Sequence, residues 1–128
     1  MDNSPIPMTT VLLVDAPLAV RQALRARLSL EPGLAIIGEA DDTSTAISLA
    51  QTVEPDVVLV DAETPDLDAS ALVRALAEQV PSCGIVVVSQ HRAAVSHGLN
   101  GTPAIVVGKQ EGLASLVRAV RSAPPPVP

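Results

Sequence analysis

Four short apolar runs in this sequence end at residues suited to phosphate chemistry. Asp15 follows Val11-Leu-Leu-Val14, Asp61 follows Val57-Val-Leu-Val60, and Ser89 follows Ile85-Val-Val-Val88. Lys109 stands one glycine beyond Ala104-Ile-Val-Val107. A carboxylate can attack phosphorus to form an acyl phosphate if a cation, an ammonium and hydrogen-bond donors offset the charge on the equatorial oxygens. Asp61, Lys109 and Ser89 match the nucleophile, the ammonium and the hydroxyl of such a site. They are far apart in sequence, so the chemistry depends on a fold that gathers the ends of the runs.

The runs themselves predict that fold. Val/Ile/Leu stretches without alternation read as strands buried on both faces, and such strands belong to parallel sheets covered by helices. Their polar endpoints then meet along one edge, where open α/β sheets bind ligands outside the carboxyl ends of the strands. Leu34-Ala-Ile-Ile37, before Gly38, supplies a further strand. Helical spacing separates the runs: Val20, Leu24 and Leu28; Ala46, Leu49, Ala50 and Val53; Leu72, Val73, Leu76 and Val80; Leu113, Leu116, Val117 and Val120. The expected fold is α/β, a doubly wound five-stranded parallel sheet with flanking helices, β-α repeated five times. Right-handed crossovers and a reversal of strand order beside the first strand bring Asp15 and Asp61 together. The fourth helix, Arg92 to Leu99, is short, contains His97-Gly98 and runs into the turn dipeptide Asn100-Gly101, so this region is expected to be irregular or mobile. Pro103 can open the fifth strand, and Asp41-Asp42, ahead of Thr-Ser-Thr, reads as the N-cap of a helix.

Composition narrows the function classes. The chain has 128 residues, enough for one core and too few for two ordinary domains. A formal charge of -6 with eight dispersed basic residues argues against a duplex-binding surface. The absence of Phe, Tyr and Trp removes any base-stacking platform and leaves a core of Val, Leu, Ile and Ala. Cys83, the single cysteine, cannot form an intramolecular disulfide and reads as a buried small hydrophobe. No apolar run approaches the ~20 residues that span a bilayer, and the start Met1-Asp-Asn-Ser-Pro has no secretion-signal pattern, so the cytoplasm is the expected location and no membrane partner is expected. The expected layout is a flexible leader over 1–8, one domain over 9–122 and a Pro-rich tail or linker over 123–128.

Val-Leu-Leu-Val-Asp15, Pro55-Asp-Val-Val-Leu-Val-Asp61, Thr64-Pro65-Asp-Leu-Asp68, Val86-Val-Val-Ser89 and Val-Val-Gly-Lys109 resemble, in order and spacing, the receiver domain of two-component response regulators. The resemblance runs from about Thr10 to Arg121. Gly38-Glu39-Ala40 and Val117-Arg-Ala-Val120 also resemble receivers that precede LuxR-type output domains. It implies the flavodoxin-like (βα)5 receiver fold and a phosphoryl group accepted by Asp61 from a histidine kinase or small phosphodonor. Ser89 would contact its oxygens, Lys109 would pair with them, and Mg²⁺ would bridge the acids and the phosphoryl group. A homodimer is a further expected partnership, and direct nucleic-acid binding by this chain is not expected.

The chain departs from the family pattern in two respects, the metal site and the signal-transmitting segment. Receivers usually carry consecutive acids after the first strand; here Asp15 is followed by Ala16, at the position expected to ligate the metal. Glu63, two residues past Asp61, is a replacement oxygen for a weakened Mg²⁺ site made with Asp15 and Asp61, or else an exposed loop acid. The aromatic residue that commonly switches in the fifth strand is matched by Val106, the stretch from Ser89 to Lys109 is about two residues shorter than usual, and Gln110 replaces a frequent Pro. A degenerate receiver that dimerises or docks without phosphorylation, with Lys109 tethered to Asp61, is therefore the alternative function. Asp61-Ala-Glu-Thr64 with Ser89 and Lys109 also resembles the haloacid-dehalogenase order, but that family wants Asp in place of Glu63, a first-strand nucleophile and a later acidic motif. Gly101 to Lys109 lacks P-loop glycine spacing and has Gln110 where Ser or Thr belongs.

Overall fold

The computed structural model describes residues 8–15 and 18–124, with the side chains of 18–20 excepted. The greater part of the expected leader, Ala16, the Val20 contribution to the helix stripe and the end of the expected tail lie outside the described residues. In chain order the elements are β1 (Thr9–Val14), α1 (Leu18–Ser29), β2 (Leu34–Ala40), α2 (Thr43–Val53), β3 (Val57–Asp61), α3 (Ala69–Gln79), β4 (Gly84–Ser89), α4 (Arg92–Gly98), β5 (Ile105–Gly108), a 3-10 turn (Lys109–Glu111) and α5 (Leu113–Ser122). All strand pairs are parallel, in the order β2-β1-β3-β4-β5. The order reverses between β1 and β3, which puts the carboxyl ends of those two strands side by side.

Alternating strand side chains feed two cores. On one face Leu12, Val14, Val58, Val60, Ile85 and Val87 pack with Ala46 and Ala50 of α2 and Leu72, Val73 and Leu76 of α3. On the other, Val11, Leu13, Val57, Leu59, Val86, Val88 and Val107 meet Leu28 of α1 and Leu116, Val117 and Val120 of α5. Burial on both faces is why the runs carry no polar alternation. Cys83 is buried, and that burial pushes its thiol pKa up, as an unreactive packing residue requires. Gly84 opens β4 where the chain returns from α5: a Cβ there would stand 2.2 Å from the Ala123 carbonyl oxygen, so only glycine fits.

Local chemistry sets the boundaries. The Asp42 carboxylate accepts from the Thr45 N–H at 2.7 Å and caps α2, and Asp68 accepts from Ala71 N–H at 3.0 Å and caps α3. Glu54 takes a left-handed conformation (φ 48°) at the end of α2, where its N–H still bonds the Ala50 carbonyl, and Pro55 prevents the helix from continuing.

Two elements differ from expectation. β2 does not stop before Gly38 but runs to Ala40, because the register slips between Val11/Ile36 and Leu12/Gly38. Ile37 is the extra residue of this bulge, which explains an exposed isoleucine (38%) inside a strand. α4 is a regular seven-residue helix and not an irregular segment. Ala93 and Ala94 favour helix, Val95 and Leu99 pack on the α2/α3 side of the core, and the Arg74 guanidinium donates to the Gly98 carbonyl at 3.0 Å. Gly101 (φ 86°) then makes the turn toward β5.

Candidate functional site

The four residues at the ends of the apolar runs come to one edge of the sheet. Asp61 is the last residue of β3 and Ser89 the last of β4, paired respectively with Val88 and Gly108 in neighbouring strands. Asp15 lies just past β1 and Lys109 just past β5. Asp15, Asp61 and Ser89 are buried, at 1%, 8% and 0% exposure, in positions where polar side chains are costly unless partnered. Asp15, Asp61 and Lys109 line one cavity of about 380 Å³, whose other wall includes Leu24 and Arg27 of α1 and Leu116 of α5. The topological reversal thus joins the two aspartates as expected.

The Lys109 ammonium stands 2.9 Å from Asp61 Oδ1 and 3.2 Å from Glu63 Oε1. The Glu63 N–H donates to the same Asp61 Oδ1 at 2.8 Å. Thr64, buried at 3%, donates its hydroxyl to the Asp61 carbonyl at 2.8 Å and its N–H to the same oxygen at 3.2 Å, closing the turn after β3. That turn aims the Glu63 side chain back over the strand ends. Its Oε2 accepts from the Ser89 hydroxyl at 2.8 Å and its Oε1 from the Gln90 N–H at 2.6 Å. The Ser89 oxygen in turn accepts from His91 N–H at 2.9 Å, tying β4 to the start of α4.

Glu63 is an exposed loop residue whose carboxylate is nevertheless fully engaged. Spacing alone did not point to Gln90 or Thr64, although an Asp-x-x-Thr sequence at a strand end is a usual side-chain-to-backbone turn signal. Among the described residues no three His, Cys, Asp or Glu side chains are grouped to hold a metal, because Glu63 faces Ser89 and Gln90. Asp15 and Asp61, two carboxylates on one cavity, fit the smaller set that Mg²⁺ takes together with phosphate and water. Val106, the position matching the family's aromatic switch, is half-buried against the α2/α3 core.

The charges reinforce one another. Burial alone would push the Glu63 carboxyl up, but donation from Gln90 N–H, Ser89 and Lys109 outweighs it and holds the pKa below the ordinary 4.5. Burial would lower Lys109, yet Asp61 and Glu63 reverse this and raise it above 10.5. A lowered acid stabilises the fold above its unfolded value and loses that contribution as pH falls through the folded value; a raised lysine contributes below 10.5 and loses it as pH rises through its folded value. The cluster's contribution should be level over roughly pH 6–9 and decline on both flanks. Urea midpoints followed by circular dichroism should show Glu63→Gln losing part of the acid-side decline below 4.5. An acid flank identical to that of the parent would refute the coupling.

Fold and site together define a doubly wound α/β module with an acidic cluster and a lysine at the carboxyl edge of its sheet. The chain belongs to the response regulator receiver domain family, whose model matches residues 11–121. It is 32% identical over 120 residues to a protein-glutamate methylesterase/protein-glutamine glutaminase 2 of Cereibacter sphaeroides, covering 88% of this chain and 33% of that protein. The chain spans about a third of the length of that relative, and the family it shares with it is a signalling domain. Among solved structures, a LuxR-family two-component response regulator from Aurantimonas sp. superposes with a TM-score of 0.81 at 25% identity, covering 90% of this chain and 84% of that one. The response regulator domain of Thermotoga maritima CheB superposes with a TM-score of 0.77 at 24% identity, covering 91% and 96%. Receiver domains generally bind Mg²⁺ at the phosphorylation site and interact with histidine kinases or phosphodonors. Among the described residues no helix is long and apolar enough to cross a membrane.

Proposed function

We propose that this chain is a cytoplasmic receiver that accepts a phosphoryl group on Asp61, from a histidine kinase or a small phosphodonor, to modulate an output domain or partner protein. The observation that carries this is the buried Asp61 carboxylate at the end of β3 with the Lys109 ammonium at 2.9 Å. Lys109 and the Glu63 N–H both bind Oδ1, so Oδ2 is the oxygen that attacks. With acetyl phosphate, the Oδ2–phosphorus bond forms, the donor's phosphorus–oxygen bond breaks and acetate leaves with its electron pair. Ser89 and Lys109 supply the hydroxyl and the ammonium for the transferred oxygens, worth ~10²–10³-fold per donor in comparable sites. Asp15 and Asp61 would hold Mg²⁺, which would offset charge on the phosphoryl oxygens.

The test is intact mass after incubation with acetyl phosphate and Mg²⁺, since a chain without Trp or Tyr offers no intrinsic fluorescence. The parent is expected to gain ~80 Da, one phosphoryl group on a carboxylate nucleophile, and Asp61→Asn to gain nothing. Ala16→Asp, which restores the second acid of the family pattern, is expected to raise Mg²⁺ affinity and the extent of labelling. An adduct that persists in Asp61→Asn, or none in the parent and Ala16→Asp alike, would reject phosphotransfer. The second reading is then preferred, a phosphorylation-independent dimerisation or docking module. Its supporting observation is the tether of Lys109 to both Asp61 and Glu63.

A further inference from the structure

Three donors converge on the Glu63 carboxylate, two residues past Asp61: the Ser89 hydroxyl, the Gln90 N–H and the Lys109 ammonium, which also pairs with Asp61. One comes from the end of β4, one from the backbone just beyond it and one from the residue after β5. Such a set, a backbone amide, a hydroxyl and a cation within 2.6–3.2 Å of one carboxylate, is an anion-binding arrangement. All three serve the two oxygens of Glu63. A carboxylate presents two oxygens of an anion much as a phosphoryl group presents three.

We infer that Glu63 is the resident anion of this donor set: its carboxylate holds the Ser89, Gln90 and Lys109 donors in place of a phosphoryl group on Asp61, and must leave before one can be accepted. The inference deepens the phosphoacceptor reading and rests on it for the identity of the incoming group. The occupation itself rests only on the three contacts. Two consequences follow. The Ser89 hydroxyl, linked through His91 N–H to the start of α4, is already drawn to the acid site without phosphorylation. Uptake of a phosphoryl group is reduced by the fraction of time the donor set is free: if Glu63 holds it ~90% of the time, apparent affinity for an anion falls ~10-fold.

Length separates occupation from charge. Glu63→Asp keeps the charge but withdraws the carboxylate by one methylene, out of reach of Gln90 N–H and Ser89, whereas Glu63→Gln keeps the length and removes the charge. The full chain would be titrated with inorganic phosphate and followed at the Gln90 amide by NMR, with dispersion of the remaining amides as the folding control. Labelling by acetyl phosphate would be timed by intact mass in parallel. In the parent the Gln90 amide proton should sit downfield, as expected for a 2.6 Å bond to a carboxylate, and move upfield in both variants. Both variants are expected to bind phosphate ~10-fold more tightly than the parent and to label faster. Unchanged phosphate affinity in both variants would overturn the inference, and so would a gain in Glu63→Gln alone, which would assign the effect to charge. A gain in phosphate affinity in both variants with no adduct in any protein would uphold the resident anion and reject phosphotransfer to Asp61.

Discussion

Replacing Lys109 with alanine should leave the protein folded and reduce phosphoryl uptake on Asp61 by about 100-fold or more. Lys109 lies past the end of β5, its side chain is about a third exposed (31%), and it belongs to neither core, so the fold does not depend on it. A partly exposed ion pair adds only about 0–1 kcal/mol to stability. The kinetic effect is different in kind. The ammonium is the cation shared by Asp61 Oδ1 and Glu63 Oε1, and without it two carboxylates face an incoming phosphodonor that is itself anionic. Charge on the transferred oxygens then rests on Ser89 and Gln90, which remain committed to Glu63. The check is the initial rate of mass gain with acetyl phosphate, with the circular dichroism spectrum as the folding control. A rate within about threefold of the parent, a difference under ~0.7 kcal/mol in barrier, would remove Lys109 from the proposed chemistry.

What sequence reveals of such a site follows from the range of the forces involved. Strands β1, β3 and β4 were legible because burial on both faces forces uninterrupted Val, Leu and Ile, a signal carried within five residues. The cap at Asp42 is equally local, the oxygen and the amide being three residues apart. The full length of β2 is not legible in the sequence because its bulge is set by register against β1, and Gly38 after Leu34-Ala-Ile-Ile37 carries the local signal of a strand end. α4 was underestimated for a related reason: its stability comes from Val95 and Leu99 packing on the core and from Arg74, 24 residues away.

The site divides in the same way. Asp15, Asp61, Ser89 and Lys109 stand out because each lies at or just past the end of a strand, and the topology of a parallel sheet dictates that strand ends meet. Glu63 is in a loop, where nothing periodic marks it. Its partner Ser89 is 26 residues away and Lys109 is 46 positions on, so its engagement becomes visible only when β3, β4 and β5 are side by side. The available hint was the pairing of an acid at a strand-end loop with a hydroxyl and an ammonium at adjacent strand ends, which is a statement about charge balance and not about pattern.

Leu59→Ala should be the most damaging of the conservative changes, with a loss of about 3–5 kcal/mol, the upper part of the range for buried leucines. Leu59 is fully buried on β3, a strand flanked by β1 and β4, and faces the α1/α5 side beside Val86, Val88 and Leu116. A cavity opened there has little means to collapse. Its chain neighbours Val58 and Val60 and its β4 partner Val86 are stiff β-branched residues, its β1 partner Leu13 is held in the ladder on the other side, and the chain contains no Phe, Tyr or Trp whose ring could tilt into the space. The strand that loses support also ends at Asp61 two residues later, so the cavity lies under the proposed phosphoacceptor. Against a total of ~5–15 kcal/mol for a domain of this kind, such a loss removes a large share of the margin. Leu30→Ala is the internal control: Leu30 is 84% exposed and its truncation should change stability by no more than ~0.5 kcal/mol. Urea unfolding monitored by circular dichroism at unchanged slope would separate the two. If the Leu59 and Leu30 variants unfold at the same urea concentration, the two-sided core is not the source of stability that its burial implies.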